Sequence, residues 1–519
     1  MMNLTTDAWI PVVWNGGVAG VVSLREAFER GDEIRDLSVR PHERVALMRL
    51  LICVAQAALD GPADHEEWKT CCPRIGPSAL DYLDRWQHAF ELLGNGQRFL
   101  QVCHLERPAK GANSEDDEGS ATGKLDLALA TGNNTTLFDN SGGSARCFTP
   151  PELALMLTTF QCFSPGGRIG VALWEGQKTP GKGSSDHAPC LAGGMLHALL
   201  RGDNLVASLH KNLINPGQAD QLYGRDSWGK PVWELMPKQP ADADAVRNAT
   251  RTYLGRLVPL TRAIRLADDG RSLTLANGME YGSYPEDGWR EPSATIVVRT
   301  IKDQPTRVVL RAFVEKALWR ELGALTVKAV ADKPGGPAAL QNVSDDEPFD
   351  LWVGALVANK AKLVDTTESV FHVPAAMLGD PGQRTYEGGV RLAEQNEFRL
   401  RRAISEYHKQ LGDKLDRPEM RTRRQQIQGR AAAQFWTEVE LAVPHLLEVA
   451  ENSERLGLNG DWYKTDWGKA VARAMRAAFE RSCPHETPRQ MRAYALALNA
   501  LFTEPATGKS EAEGEEVEA

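Results

Sequence analysis

The stretch "GQKTPGKGSS", which begins at Gly176, contains residue types that bind phosphate groups. Gly176, Gly181 and Lys182 stand in the register of the pattern G-x-x-x-x-G-K-[ST], and the apolar run "GVALW" precedes them as a strand would. However, Gly183 stands where the pattern needs a magnesium-binding hydroxyl, and Pro180 removes one backbone N–H from the loop. We therefore predict a basic surface loop here, with nucleotide binding as the alternative.

Metal-binding and nucleophilic groups are sparse in the sequence. Asp186, His187 and Cys190 lie close together, but a metal site needs converging geometry and usually a fourth ligand. The cysteines form no Cys-x-x-Cys pair, and neither His-Glu-x-x-His nor Gly-x-Ser-x-Gly occurs. The sequence therefore predicts a protein that is not an enzyme, with no catalytic residues, no bound metal and no cofactor.

Composition and charge indicate an ordinary globular chain. The 519 residues are 42% hydrophobic and 25% charged, which is enough for more than one core. A net charge of −9 argues against non-specific coating of nucleic acid. Residues 251–330 nevertheless carry 13 Lys and Arg against 9 Asp and Glu, so a local basic surface is predicted. The N-terminus lacks a secretory pattern and no membrane-length apolar run occurs, which predicts a cytoplasmic protein without membrane contact.

The elements that must position these residues change in character along the chain. Up to about residue 370, the runs "WIPVVW" and "TIVVRTI" predict strands, and "RPHERVALMRLLICVAQAALDG" has helical apolar spacing. The stretch "TPPELALMLTTFQCF" predicts a helix with Thr149 as its N-cap. Long loops rich in glycine, asparagine and serine interrupt these elements, at 111–123, 131–146, 164–189 and 332–345.

Beyond about residue 375, four amphipathic patterns predict a helical bundle. Asp416 is expected to cap the second helix, and Pro444 is expected to kink it. The fourth helix is expected to bury Met491, Tyr494, Leu498 and Phe502. The predicted fold class is therefore α+β: a mixed α/β domain over 1–370, a four-helix bundle over 375–505, and a disordered acidic tail over 506–519.

Three further loops contain residues that could contact a partner. In "NNTTLFDNSGG", the pair Leu137 and Phe138 is interpreted either as a plug into the chain's own core or as an anchor for a partner. In "GALVANKAKL", the segment from Asn359 to Lys362 is either a hairpin tip or an interruption in a helix. In "FSPGGRIG", the crowded glycines let the backbone approach another surface closely.

Taken together and in order, these stretches resemble one family. "NLTTDAWIPVVWNGGVAGVVSLREAF", "RFLQVCHL", "NNTTLFDNSGG", "CFSPGGRIG", "RSLTLANG", "GALVANKAKL" and "AAAQFWTEVELAVP" are similar to the CasA family. That family is the large subunit of the type I-E CRISPR Cascade surveillance complex. The resemblance extends to about residue 502, and the order and spacing of the motifs carry it rather than any single motif.

The resemblance implies recognition of a protospacer-adjacent motif (PAM) in double-stranded DNA from the minor groove, followed by strand opening and R-loop formation. Gly166 and Gly167 match the family's glycine loop, which would approach a base-pair edge in that narrow groove. Arg271 takes the place of a basic side chain that enters the groove. The wedge that opens the first base pairs matches Asn359, Lys360 and Ala361, with Lys360 where the family has glutamine.

The resemblance also implies partners. The loop with Leu137, Phe138, Asp139 and Asn140 would dock the subunit near the 5′ handle of the CRISPR RNA and the handle-binding subunit. The bundle would touch the small subunits, beside the backbone subunits, and a helicase–nuclease would be recruited for cleavage. A path for the displaced DNA strand would include Arg399, Arg402, Arg423 and Arg424. The alternative functions are a nucleotide-binding enzyme that uses residues 176–183, and a scaffold subunit without DNA contact.

Overall fold

The computed structural model describes most of the chain and divides it into two compact units, Met1–Leu378 and a second unit that begins at Gly379. The described residues are 2–107, 120–129, 139, 146–166, 169–179, 188–282, 284, 289–329, 334–359, 362–413, 417–456 and 461–503. The predicted acidic tail lies outside them. Within these ranges, no helix combines the length and the apolar character that a membrane span requires.

The first unit contains both helices and sheets, which confirms the mixed character predicted from the sequence. Its helices are α1 (Leu24–Glu29), α2 (Pro41–Leu59), α3 (His65–Thr70), α4 (Cys72–Trp86), α5 (Pro150–Phe163), α6 (Leu205–Lys211), α7 (Pro216–Tyr223), α8 (Ala243–Arg251), α9 (Tyr253–Leu257) and α10 (Leu322–Leu325). Short 3₁₀ helices connect several of these elements.

The strands of the first unit form small antiparallel sheets rather than one large sheet. They are β1 (Ile10–Trp14), β2 (Ala19–Val22), β3 (Ile34–Leu37), β4 (Leu105–Glu106), β5 (Ser120–Ala121), β6 (Leu173–Trp174), β7 (Gln177–Lys178), β8 (His197–Arg201), β9 (Arg262–Leu266), β10 (Ser272–Asn277), β11 (Ile296–Ile301), β12 (Gln304–Val309), β13 (Phe349–Asn359) and β14 (Lys362–Val373). The strand orders are β2-β1-β3, β5-β10-β9, β4-β6-β7 and β14-β13-β8, and β11 pairs with β12.

Two buried helices form the centre of this unit. Helix α2 buries residues on all of its sides, and α5 packs against it. Helix α5 begins as predicted, with Thr149 as N-cap, and the Thr149 amide donates to the Glu152 carboxylate at 2.7 Å. Both helices are thus largely interior elements, and α5 leads directly into the predicted glycine loop.

A buried ion triad links α2 to the chain around Glu291. The Glu291 carboxylate accepts hydrogen bonds from Arg49 at 2.8 Å and from Arg256 Nε at 3.1 Å, and all three side chains are only 2% exposed. Burial alone would raise the pKa of Glu291, but the charges of Arg256 and Arg49 outweigh it and lower that pKa to about 2. The carboxylate therefore stays ionised, and losing it would leave two buried cations without a counter-ion.

The second unit is helical in its described residues. Its helices are α11 (Asp380–Gln410), α12 (Pro418–Glu440), α13 (Val443–Glu451), α14 (Asp466–Ser482) and α15 (Pro488–Phe502), and α11 contacts each of the other four. The second helical pattern is thus two helices instead of one kinked helix, because the chain breaks before Pro444. Helix α12 begins with Arg417 as N-cap, and Asp416, the predicted cap, lies outside the described residues.

The prediction for the buried face of the fourth pattern was wrong for Met491 and Phe502, while Tyr494 and Leu498 are half-buried. Helix α15 buries Ala493, Ala497 and Leu501, whereas Met491 and Phe502 are 56% and 55% exposed. The sequence of α15 contains two stripes of apolar residues at helical spacing, and either could face the other helices. The stripe with two alanines faces inward because small side chains let α15 approach α11 closely.

Candidate nucleic-acid interface

The stem of the predicted glycine loop is held from below by a buried arginine. Helix α5 ends at Phe163, and Ser164 and Pro165 lead into Gly166. The Arg262 guanidinium, 1% exposed on β9, donates to Ser164 Oγ at 3.1 Å and to the Pro165 carbonyl at 2.9 Å. A third bond reaches Asn277 Oδ1, at the end of β10, at 3.0 Å. Gly166 thus follows a fixed stem, and Gly167 lies outside the described residues.

The same stem is tied to β9 by a second buried side chain. Gln161 accepts from the Arg262 amide through Oε1 at 2.9 Å and donates to the Arg262 carbonyl through Nε2 at 2.9 Å. Thr261 Oγ1 donates to the Gln161 carbonyl at 2.7 Å. The last turn of α5 and the first residue of β9 are therefore joined by reciprocal bonds that keep buried polar groups paired.

Residues 188–195 connect this stem to the hairpin that carries the predicted wedge. The Ala188 amide donates to the Ser164 carbonyl at 2.9 Å. Further along, Gly194 has φ +92, and a methyl group added to it would lie 3.4 Å from the amide nitrogen of Ala358 and 3.6 Å from Val357 Cα. One short segment therefore touches both the glycine-loop stem and the β13–β14 hairpin.

The predicted wedge belongs to a long antiparallel hairpin, so the interpretation as a hairpin tip is confirmed and the interrupted helix is wrong. Strands β13 and β14 pair from Phe349 with Val373 to Asn359 with Lys362, and β8 pairs with the other edge of β13. Lys360 and Ala361 connect the paired ends and lie outside the described residues. The pairing with β8 covers Asp350–Gly354 at the base of the hairpin, and it stops five residues before Asn359.

Arg271 lies away from the glycine loop. It is exposed and directly precedes β10, whereas Asn277, which binds the loop-holding arginine, ends that strand. Six residues of strand place Arg271 about 20 Å from Asn277. At that far end, Gly270 faces Leu153 near the start of α5. The structure therefore does not bring Arg271 and Gly166 together.

Only one residue of the predicted docking loop is described. Asp139 forms a bridge with Leu129, its amide donates to the Ala128 carbonyl at 3.0 Å, and its carboxylate accepts from Arg146 at 2.6 Å. Leu137, Phe138 and Asn140 lie outside the described residues. Asp139 is thus joined to Ala128 and Leu129, which precede the loop, and to Arg146, which follows it.

The arginines predicted for a displaced-strand path differ in their surroundings. Arg399 donates to the Tyr463 hydroxyl at 3.1 Å. Arg402 donates to the Ala500 carbonyl at 2.6 Å and to the Thr503 carbonyl, so it caps the C-terminus of α15. Arg423 is exposed and Arg424 is half-buried near the start of α12. Arg402 is therefore engaged in the fold, which leaves the exposed start of α12 as the more accessible part of the predicted path.

The phosphate-loop alternative does not match the described geometry. Glu175 and Gly176, with φ +49 and +74, form the turn between β6 and β7, and Trp174 pairs with Gln177. A phosphate-binding loop would instead leave its strand and open a helix. Gly181, Lys182, Asp186 and His187 lie outside the described residues. Within the described ranges, no three His, Cys, Asp or Glu side chains are grouped to hold a metal ion.

Two buried histidines flank the end of α5 and were missed by sequence reasoning. The Phe163 ring lies 6.0 Å from the His42 ring and 5.6 Å from the His197 ring, between centroids. Burial, with a smaller contribution from Arg40, lowers the pKa of His42 to about 3, and burial also lowers the pKa of His197 to about 4. Both rings are therefore neutral at pH 7.

Sequence reasoning also missed Arg262 and Gln161. The only available signal for Arg262 was a charged residue at the start of an apolar strand, "RAIRL", where a solvent-facing side chain is the ordinary expectation.

Comparison with known proteins identifies the family. Residues 3–478 match the family model of CRISPR-associated protein Cse1, so the chain belongs to that family and the resemblance seen in the sequence is confirmed. It is 27% identical over 439 residues to the CRISPR-associated protein CasA/Cse1 of Thermus thermophilus, which is 80% of this chain and 79% of that protein.

Solved structures share the fold over nearly the whole chain. The crystal structure of Thermobifida fusca Cse1 has a TM-score of 0.74 at 18% identity, over 96% of this chain and 98% of that one. A chain of a CRISPR RNA-guided surveillance complex has a TM-score of 0.70 at 17% identity, over 97% and 99%. At these identities, the likeness establishes the fold.

Proposed function

We propose that this chain is the large subunit of an RNA-guided CRISPR surveillance complex, and that it recognises a short motif in double-stranded DNA. The glycine loop reads the motif from the minor groove, and the tip of the β13–β14 hairpin opens the adjacent base pairs. The observation that carries this proposal is the shared support: residues 188–195 touch both the loop stem at Ser164 and the hairpin at Ala358.

Minor-groove reading suits a backbone loop. The groove is narrow and offers a degenerate pattern of acceptors, so main-chain groups beside glycine can approach the base edges where a larger side chain would collide. Strand opening suits the hairpin, since a wedge must resist the force of restacking bases, and β13 is paired with β14 along its whole length and with β8 at its base, over Asp350–Gly354. Sequence choice beyond the motif would come from pairing with the guide RNA.

Other elements have supporting roles in this proposal. The loop around Leu137, Phe138, Asp139 and Asn140 docks the subunit near the CRISPR RNA handle, and helices α11 to α15 form the bundle that contacts the small subunits. Arg423 and Arg424, together with Arg399 and Arg402, attract the displaced strand. The subunit performs no chemistry and helps to recruit a helicase–nuclease.

Arg271 has a separate place in the proposal. Because it lies about 20 Å along β10 from Asn277, it would contact the duplex only if the DNA axis follows that strand. Its role is then attraction of a phosphate or of a neighbouring stretch of groove, rather than readout of the base pair that Gly166 faces.

Reconstitution tests the proposal. The guide-RNA complex is assembled with and without this chain, and binding is measured on duplexes that differ only in the motif. We expect motif-dependent binding only when the chain is present. Equal binding to both duplexes, with the chain incorporated, would favour the scaffold alternative. Magnesium-dependent nucleotide binding by the isolated chain would favour the enzyme alternative.

A further inference from the structure

The buried guanidinium of Arg262 bonds three oxygens that come from three parts of the chain. Ser164 directly follows α5, Pro165 begins the glycine loop, and Asn277 ends β10. Since Arg262 is itself the first residue of β9, its side chain joins one helix end, one loop and two strands at a single point.

We infer that Arg262 is a positioning residue that holds the glycine loop in the orientation needed for motif reading. This inference rests on the proposed function, and it assigns the accuracy of motif reading to the hydrogen bonds of one buried residue. Arg262 cannot touch DNA, because its side chain is buried beneath the loop. It acts through Pro165, whose carbonyl it binds one residue before Gly166.

The need for such a residue follows from the composition of the loop. Glycines supply backbone freedom but no side chains that could brace the loop against its neighbours. The hydrogen bonds at the stem fix the point from which the loop leaves the fold. A recognition site whose reading group shifts by a fraction of an ångström loses selectivity before it loses its general attraction for DNA.

Arginine suits this position better than lysine or glutamine. Its planar fork presents Nε, Nη1 and Nη2 in fixed directions, and each of the three nitrogens binds a different oxygen here. Lysine would keep the charge but could not reproduce the planar arrangement. Glutamine would lose the charge and at least one of the three bonds.

A residue that only supported the fold would have a different signature. Its substitution would lower stability and incorporation into the complex, while every incorporated subunit would still distinguish motif from non-motif duplex. A positioning residue changes that ratio in subunits that have been incorporated. The ratio, normalised to incorporated chain, therefore separates the two roles.

The test uses the reconstituted complex with Arg262→Gln, Arg262→Lys and Ser164→Ala. The matched control is Arg290→Lys, at a buried arginine that donates to the carbonyls of Ala294 and Gly335 at 3.1 Å instead of to Ser164 and Pro165. We expect Arg262→Gln to lower the ratio of motif to non-motif binding by about tenfold, as for loss of charge-assisted hydrogen bonds. Arg262→Lys and Ser164→Ala should lower it less, and Arg290→Lys should leave it unchanged.

Three results would overturn the inference. An unchanged ratio in incorporated Arg262→Gln, or in Arg262→Lys and Ser164→Ala if the first variant does not assemble, would assign Arg262 to the fold alone. An equal fall with Arg290→Lys would indicate a general effect of buried arginines. If Gly166→Asp abolishes discrimination while the Arg262 and Ser164 variants keep it, the inference about Arg262 fails and the proposed function stands. If the wild-type complex does not distinguish the two duplexes, both the inference and the proposed function fail.

Discussion

The glycine loop and the β13–β14 hairpin are the two elements proposed to meet DNA, and they are held in different ways. The loop stem is fixed by two side chains: Arg262 bonds the stem from β9, and Gln161 on α5 bonds the main chain of β9. The hairpin is fixed by the main-chain ladder between strands of 11 and 12 residues. Main-chain bonds survive most substitutions, whereas a side-chain clamp is lost with one residue.

This difference suggests that motif reading and strand opening respond to different substitutions. Changes around the loop stem should alter which duplexes are bound. Changes along the hairpin strands should be tolerated, and only its tip should affect opening. Residues 188–195 touch both elements through main-chain atoms, so the link between the two does not depend on a side chain.

The largest effect is expected from Gly166→Asp. A carboxylate at this position would face the narrow, anionic minor groove, so we expect loss of motif-dependent binding by tenfold or more, roughly the penalty for one misplaced charge. Filter binding on duplexes with and without the motif measures the effect. The matched variant Gly166→Ala should lose less, and full discrimination by both variants would remove the loop from the site.

The next effect concerns the hairpin tip. Asn359→Gly combined with Lys360→Gly should slow strand opening about tenfold, since unstacking costs a few kcal/mol per step that the wedge no longer offsets. Initial binding should largely persist. Pre-melting the first base pairs with mismatches should restore the rate, and Lys360→Gln should keep opening. Normal opening of an intact duplex by the double variant would show that the wedge lies elsewhere.

Acid should lower the free energy of unfolding through two buried histidines beside the end of α5. His42 and His197 flank Phe163 with pKa values lowered to about 3 and about 4, whereas the unfolded chain binds these protons below about 6.5. Their contribution is therefore present above about pH 6.5 and is lost as the pH falls, by up to about 2 kcal/mol each at pH 5.

Unfolding temperatures at pH 7.5 and pH 5 measure this loss. The variant His42→Leu removes one titrating ring of similar size and should lose less stability on acidification than the wild type. Equal losses in the two proteins would mean that protonation of His42 does not limit acid stability.

The smallest effect is expected on the hairpin strands. Val370, 47% exposed on β14, lies opposite Trp352 in the ladder. Val370→Thr keeps the branched shape and every main-chain bond, so stability should change by less than about 0.5 kcal/mol and motif discrimination should stay as in the wild type. Denaturant unfolding and duplex binding check both expectations. A loss of discrimination here would contradict the view that the main-chain ladder is what chiefly holds the hairpin.

Sequence reasoning succeeded where local signals decide the structure. The apolar spacing of α2, the cap at Thr149 before α5, and the branched runs of β1 and β11 depend on neighbours within a few residues. The order of motifs along the chain was enough to identify the family.

Sequence reasoning failed where distant contacts decide. On α15, two apolar stripes have the same spacing, and only the approach to α11 selects Ala493, Ala497 and Leu501 for burial. Arg262 contacts residues about a hundred positions earlier in the chain, so no local pattern reveals its partners. The distance of Arg271 from the loop likewise follows from the direction of β10, which the sequence does not specify.

The most direct test of the account is base-pair opening measured with a fluorescent base analogue in the first pair beside the motif, using the complete complex. We predict that the wild type opens this pair only when the motif is present. Gly166→Asp should fail at binding, and the hairpin double variant should bind without opening. Opening that is independent of the motif, or that continues in a complex lacking this chain, would contradict the assignment of both steps to this subunit.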